Sequence, residues 1–77
     1  MKVKTTITFE MEDEIVPEIE YKGFETAKEM KERYSNFIFE DVYSRLEVYA
    51  RNICLEGYTA KCAITYEDGS KDEWIME

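Results

Sequence analysis

Apolar and polar residues alternate without a break from Lys2 to Met11, with Val3, Thr5, Ile7, Phe9 and Met11 on one side and Lys2, Lys4, Thr6, Thr8 and Glu10 on the other. A period of two belongs to a half-buried strand, so this stretch is expected to set one face on a core and one in water. The next eleven residues, EDEIVPEIEYK, read less clearly. Glu12-Asp13-Glu14 can turn the chain into a second strand with Ile15, Ile19 and Tyr21 inward, and Pro17 would confine that strand to an edge. Gly23 breaks the pattern.

The period then lengthens to that of a helix. Thr26-Ala27-Lys28-Glu29 has the form of a capping box, and Ala27, Met30, Tyr34, Phe37 and Ile38 follow it at helical spacing. Lys28 and Glu32, and Glu29 and Arg33, are placed to pair across one turn. Ser35-Asn36 is expected to end this helix and leave a corner before a second, main helix over Phe39 to Gly57. In the main helix Val42, Leu46, Tyr49 and Ile53 form an apolar stripe that Phe39, Tyr43, Ala50 and Cys54 widen. Glu40, Asp41, Ser44, Arg45, Glu47, Arg51, Asn52 and Glu56 make the polar side, and Gly57 is expected to terminate it as a left-handed cap.

The last twenty residues predict a hairpin with two competing registers. A two-residue Asp68-Gly69 turn sets Glu73 opposite Ile64. A type I turn over Glu67-Asp68, closed by a bulge at Gly69, pairs Tyr66 with Ser70, Ile64 with Asp72, Cys62 with Trp74 and Ala60 with Met76. The second keeps Trp74 and Met76 on one apolar face, with Thr65/Lys71 and Lys61 near Glu73 outside, and it implies that Trp74 is largely buried against the main helix. The fold expected is α+β, an antiparallel sheet of three or four strands with two helices on one face, in the order β(β)ααββ.

Length confines this to one domain, residues 1–77, which buries only about 60% of its unfolded surface and has little to spare for a deep ligand cleft. Enzyme is therefore the disfavoured class, and no cofactor is implied. With no histidine, Cys–His and Ser–His nucleophiles are excluded, and two cysteines do not make a zinc site. Glu12-Asp13-Glu14 lacks the spacing of a calcium loop, so no metal site is expected. Cys54 and Cys62 read as free, buried thiols of a cytoplasmic protein, in keeping with the lack of a signal-peptide block or an apolar span.

Charge changes the picture most. Eighteen acids against ten Lys and Arg give −8, and the acids are clustered. Glu10, Glu12, Asp13, Glu14, Glu18 and Glu20 occur with no base between Lys4 and Lys22, while Glu67, Asp68, Asp72, Glu73 and Glu77 crowd the C-terminal hairpin. A field of this sign opposes direct nucleic-acid binding and favours a protein partner with a basic surface. The candidate partner-binding residues are Glu10, Glu12, Asp13, Glu14, Glu18, Glu20, Asp68, Asp72 and Glu73. They suit a nucleic-acid mimic, a small inhibitor or regulator that occupies the groove of a nucleic-acid-handling protein. In size, acidity and want of a catalytic constellation the chain is similar in kind to the inhibitors by which phages block restriction or CRISPR nucleases, a likeness of composition. Tyr34, Tyr43 and Tyr49 read as core; Tyr21, Tyr58 and Tyr66, at strand ends, suit an interface that receives Arg and Lys stems. The alternative is an assembly subunit, a homodimer formed at a sheet edge. An ordinary solvated surface explains the same acids without any partner.

Overall fold

A computed structural model describes residues 1–76. Two short strands, β1 (Ile19–Glu20) and β2 (Gly23–Phe24), pair as a small hairpin. A helix, α1 (Ala27–Asn52), follows, and then an antiparallel hairpin of β3 (Ala60–Thr65) and β4 (Lys71–Met76). The α+β class is as expected; the order and the single sheet are not. Among the described residues there is one helix and there are two separate two-stranded sheets.

The capping box forms as read. Thr26 Oγ1 accepts from the Glu29 amide at 3.2 Å, and the Glu29 carboxylate accepts from the Thr26 amide at 3.1 Å. This occupies Glu29, and Arg33 turns to Glu25, so the expected Glu29–Arg33 pair does not form. The helix then runs through Ser35-Asn36 without a corner, giving 26 residues, about 39 Å long, in place of two helices. Ser35 is only 6% exposed, and its hydroxyl bonds to groups on the hairpin, which removes the competition with the backbone that usually makes serine a poor interior helix residue.

The helix stops five residues before Gly57. Cys54 takes φ +56°, its amide donates to the Arg51 carbonyl at 3.3 Å, and the Leu55 amide donates to the Ala50 carbonyl at 2.9 Å. That is a Schellman termination with cysteine where glycine is usual. Cys54 is consequently exposed rather than buried on the helix face, and Cys62 is half-buried; both are free thiols.

The C-terminal hairpin adopts the bulged register. Ala60 faces Met76, Cys62 faces Trp74 and Ile64 faces Asp72. The Tyr66 amide donates to the Ser70 carbonyl at 2.9 Å, and Gly69, at φ +88°, closes the turn by donating to the Tyr66 carbonyl at 2.9 Å. The inner residues Ala60, Cys62, Ile64, Asp72, Trp74 and Met76 are half-buried, with Asp72 and Trp74 against α1, while Lys61, Ala63, Thr65, Lys71, Glu73 and Ile75 face solvent.

The predicted N-terminal strand is the main correction. Residues 2–11 lie in no strand, and among the described residues they make no backbone hydrogen bond. Val3, Ile7 and Phe9 stand 76%, 77% and 82% exposed. Alternation therefore created a strand-competent sequence with no neighbour to pair with. Of residues 12–22 only Ile19–Glu20 becomes strand, and Pro17 lies outside it. The result is open: the radius of gyration is 16.0 Å, against about 11 to 12 Å for a compact domain of this length.

Candidate interaction surface

Two polar clusters tie the molecule together. Under α1, Ser35 Oγ lies 2.5 Å from the Asp72 carboxylate and 2.5 Å from the Tyr66 hydroxyl, and that hydroxyl is 2.9 Å from Asp72 and 3.1 Å from the Lys31 carbonyl. Hydrogen bonds from Ser35 and then Tyr66 hold Asp72 below the ordinary carboxylate range. Burial pushes the Tyr66 hydroxyl up. The cluster contains no imidazole and no thiol, and its two hydroxyl protons are shared among internal acceptors, so its evident work is to fix the hairpin against the helix.

On another side of α1, Glu25 accepts from Arg33 Nε at 2.9 Å and Nη2 at 3.1 Å, and also from the Glu18 amide at 3.1 Å. Arg33 Nη2 donates as well to the Val16 carbonyl at 2.9 Å, and Nε stands 3.5 Å from Glu18. The guanidinium, more than any other group, lowers the Glu25 pKa. This clamp fixes where residues 16–25 meet the helix. It also leaves β1 and β2 with little to hold: Ile19 and Phe24 are exposed.

Against this frame the nine candidate acids separate into two kinds. Asp68 pairs with Lys31 and accepts from the Ser70 amide and hydroxyl, interactions that lower its pKa well below the usual range. Asp72 is turned inward as described. Glu73 is paired with Lys71 at 2.7 Å and Lys61 at 3.7 Å. The C-terminal acids are thus largely used within the molecule, and Glu77 lies outside the described residues. Glu18 is exposed but shared with Arg33. Glu10, Glu12, Asp13, Glu14 and Glu20 are exposed, and among the described residues none has a cation within salt-bridge distance. Because residues 2–11 do not pair with the hairpin, strand pairing does not merge the two acidic runs into one surface.

Asp72 lies on the inner side of its strand, opposite Ile64, as the bulged register implies. Ser35 and Glu25, the buried partners of Asp72 and Arg33, carry no local mark in the sequence, because nothing nearby shows a serine or a glutamate to face a group on another element. Tyr66, read as an interface residue, spends its hydroxyl internally.

Residues Phe39, Glu40, Tyr43, Ser44 and Trp74 line a shallow apolar notch where α1 overhangs β4. Among the described residues no group of three or more Asp, Glu, Cys or His side chains is arranged to hold a metal ion, and no helix is long and apolar enough to cross a membrane. The arrangement defines a small α+β chain with a long exposed N-terminal limb, acidic at its root. Compared with known families, curated proteins and solved structures, it matches none.

Proposed function

We propose that the chain is a protein-binding module, an inhibitor or regulator that offers its acidic segment to a basic, nucleic-acid-handling protein. The observation that carries this reading is that Glu10, Glu12, Asp13, Glu14 and Glu20 are exposed and, among the described residues, have no cation within salt-bridge distance. Unpaired carboxylates repel one another and bring the fold no return, whereas a cationic groove would receive them as it receives phosphates. Asp68, Asp72 and Glu73 serve the hairpin and are left out of the contact surface.

The test is capture of the partner on the immobilised chain from a lysate of the source cell, followed by affinity measurement with Glu12, Asp13, Glu14 and Glu20 reversed to Lys. The fold should survive, because exposed charge changes each move stability by less than about 0.5 kcal/mol. Affinity should fall by about a hundredfold or more, since like charges set against a basic groove cost several kcal/mol. Equal affinity of the variant at equal salt would remove the acidic segment from the contact.

A further inference from the structure

Three features remain unexplained by an acidic contact. Residues 2–11 carry an alternating apolar face that nothing covers. The β3–β4 hairpin has two free edges, although a two-stranded sheet in water is marginal at best. Surface is also in excess: the chain exposes 7265 Å², against about 4,900 Å² for a compact monomer of its mass. The difference, about 2,300 Å² per chain, exceeds the roughly 800 Å² per partner of a standard interface and is of the size found in obligate dimers.

We infer that residues 2–11 of one copy add as an antiparallel strand to β4 of a second copy, and reciprocally, so that the limbs exchange in a two-fold dimer. The hydrogen-bonded Tyr66–Ser70 pair fixes the alternation along the hairpin, so Asp72, Trp74 and Met76 bond inward to β3, while the backbone groups of Lys71, Glu73 and Ile75 point outward. One register satisfies both faces. With Glu10 opposite Lys71, Thr8 falls opposite Glu73 and Thr6 opposite Ile75 on the solvent side. Phe9, Ile7 and Thr5 then fall opposite Asp72, Trp74 and Met76 on the side of the partner's helix, and the apolar pair borders the Phe39, Tyr43 and Trp74 notch. Lys71 opposite Glu10 supplies the charge match.

The occupant is a second copy because a chain's own limb leaves on the wrong side. Phe39 and Tyr43, which meet Trp74 of β4, lie on one flank of Ser35; Tyr34 lies on the other, about 100° round the helix. The limb's root, where Val16 accepts from Arg33, lies about 160° round the helix from Ser35, on the side of α1 away from the hairpin. From Val16, held at Arg33, five Cα steps of about 17 Å lead to Met11, so a chain's own limb would spend most of that length crossing α1, about 10 to 12 Å wide, before it could pair. The dimer takes Glu10 into the exchanged strand and leaves Glu12, Asp13, Glu14 and Glu20 outside it, so this inference does not rest on the function proposed above.

Sedimentation equilibrium on the full chain at tens of micromolar should give about twice 9.2 kDa, and replacing Ile7 and Phe9 with Asp should halve it. A second measurement fixes the register. In a background of Cys54→Ser and Cys62→Ala, two variants are prepared, one carrying only Thr8→Cys and the other only Glu73→Cys. Mixed and oxidised, they should give a disulfide-linked pair of one chain of each kind, and the Ile7/Phe9 change should suppress it. A monomeric mass for the unmodified chain, a dimer that survives the Ile7/Phe9 change, or no mixed disulfide would each overturn the inference.

Discussion

Phe39 of α1 stacks on Trp74 of β4, with ring centroids 6.0 Å apart and planes 18° from parallel, and Tyr43 meets the same indole edge-on at 6.0 Å. These rings, with the Ser35, Tyr66 and Asp72 cluster, join helix to hairpin. Trp74 is half-buried rather than enclosed, because a two-stranded sheet cannot cover both sides of so large a ring.

Trp74→Ala should therefore cost about 2 to 3 kcal/mol in urea denaturation, less than the 3 to 5 of a fully enclosed ring. A double-mutant cycle with Phe39→Ala should give a coupling of about 0.5 to 1.5 kcal/mol. Additive losses would mean that the two rings do not act as a pair.

The helix end gives a contrast between two positions. Cys54 holds φ +56°, a conformation that costs an L-residue about 1 to 2 kcal/mol, so Cys54→Gly should stabilise by about 1 kcal/mol despite the greater freedom of unfolded glycine. Gly57 has an ordinary negative or extended φ, and a Cβ there meets nothing within 4 Å; Gly57→Ala should be neutral or slightly stabilising. Thermal melts of the two variants check this, and a loss at Gly57→Ala would restore it as the cap.

Acid should loosen the fold in a defined direction. Asp72 and Glu25 both have folded pKa values depressed below the ordinary 3.8 and 4.5, through bonds from Ser35 and Tyr66 and from Arg33. Depressed carboxylates contribute stability that is fully present above their unfolded pKa and lost as pH falls through the folded one. Stability should thus decline below about pH 4, and Asp72→Asn or Glu25→Gln should flatten that decline in denaturation series run from pH 7 to pH 2. An unchanged slope in both variants would mean that neither bond is made in solution.

What the sequence disclosed was local. The capping box of Thr26 and Glu29 and the bulge at Gly69 each depend on residues within four positions, and both formed as read. What it concealed depends on partners far along the chain. Ser35 looked like a helix stop until Asp72, 37 residues away, accepted its hydrogen bond. Asp68 looked like part of an acidic surface until Lys31, also 37 residues away, paired with it. The alternation of residues 2–11 reported what those residues need, a sheet edge, and left open where one is to be found. The acidic run of residues 10 to 20 was legible as composition; that Arg33 stands beside Glu18 while Glu10, Glu12, Asp13, Glu14 and Glu20 have no cation among the described residues was visible only once the helix was placed.

If the acidic segment stands in for a nucleic acid, as proposed, the two should compete for one groove. A complex of the chain with its captured basic partner is challenged with rising duplex DNA, or with RNA where the partner handles RNA, at constant ionic strength. Nucleic acid should displace the chain in proportion to its own occupancy of the partner. A partner that holds nucleic acid and chain together, each at undiminished affinity, would contradict it.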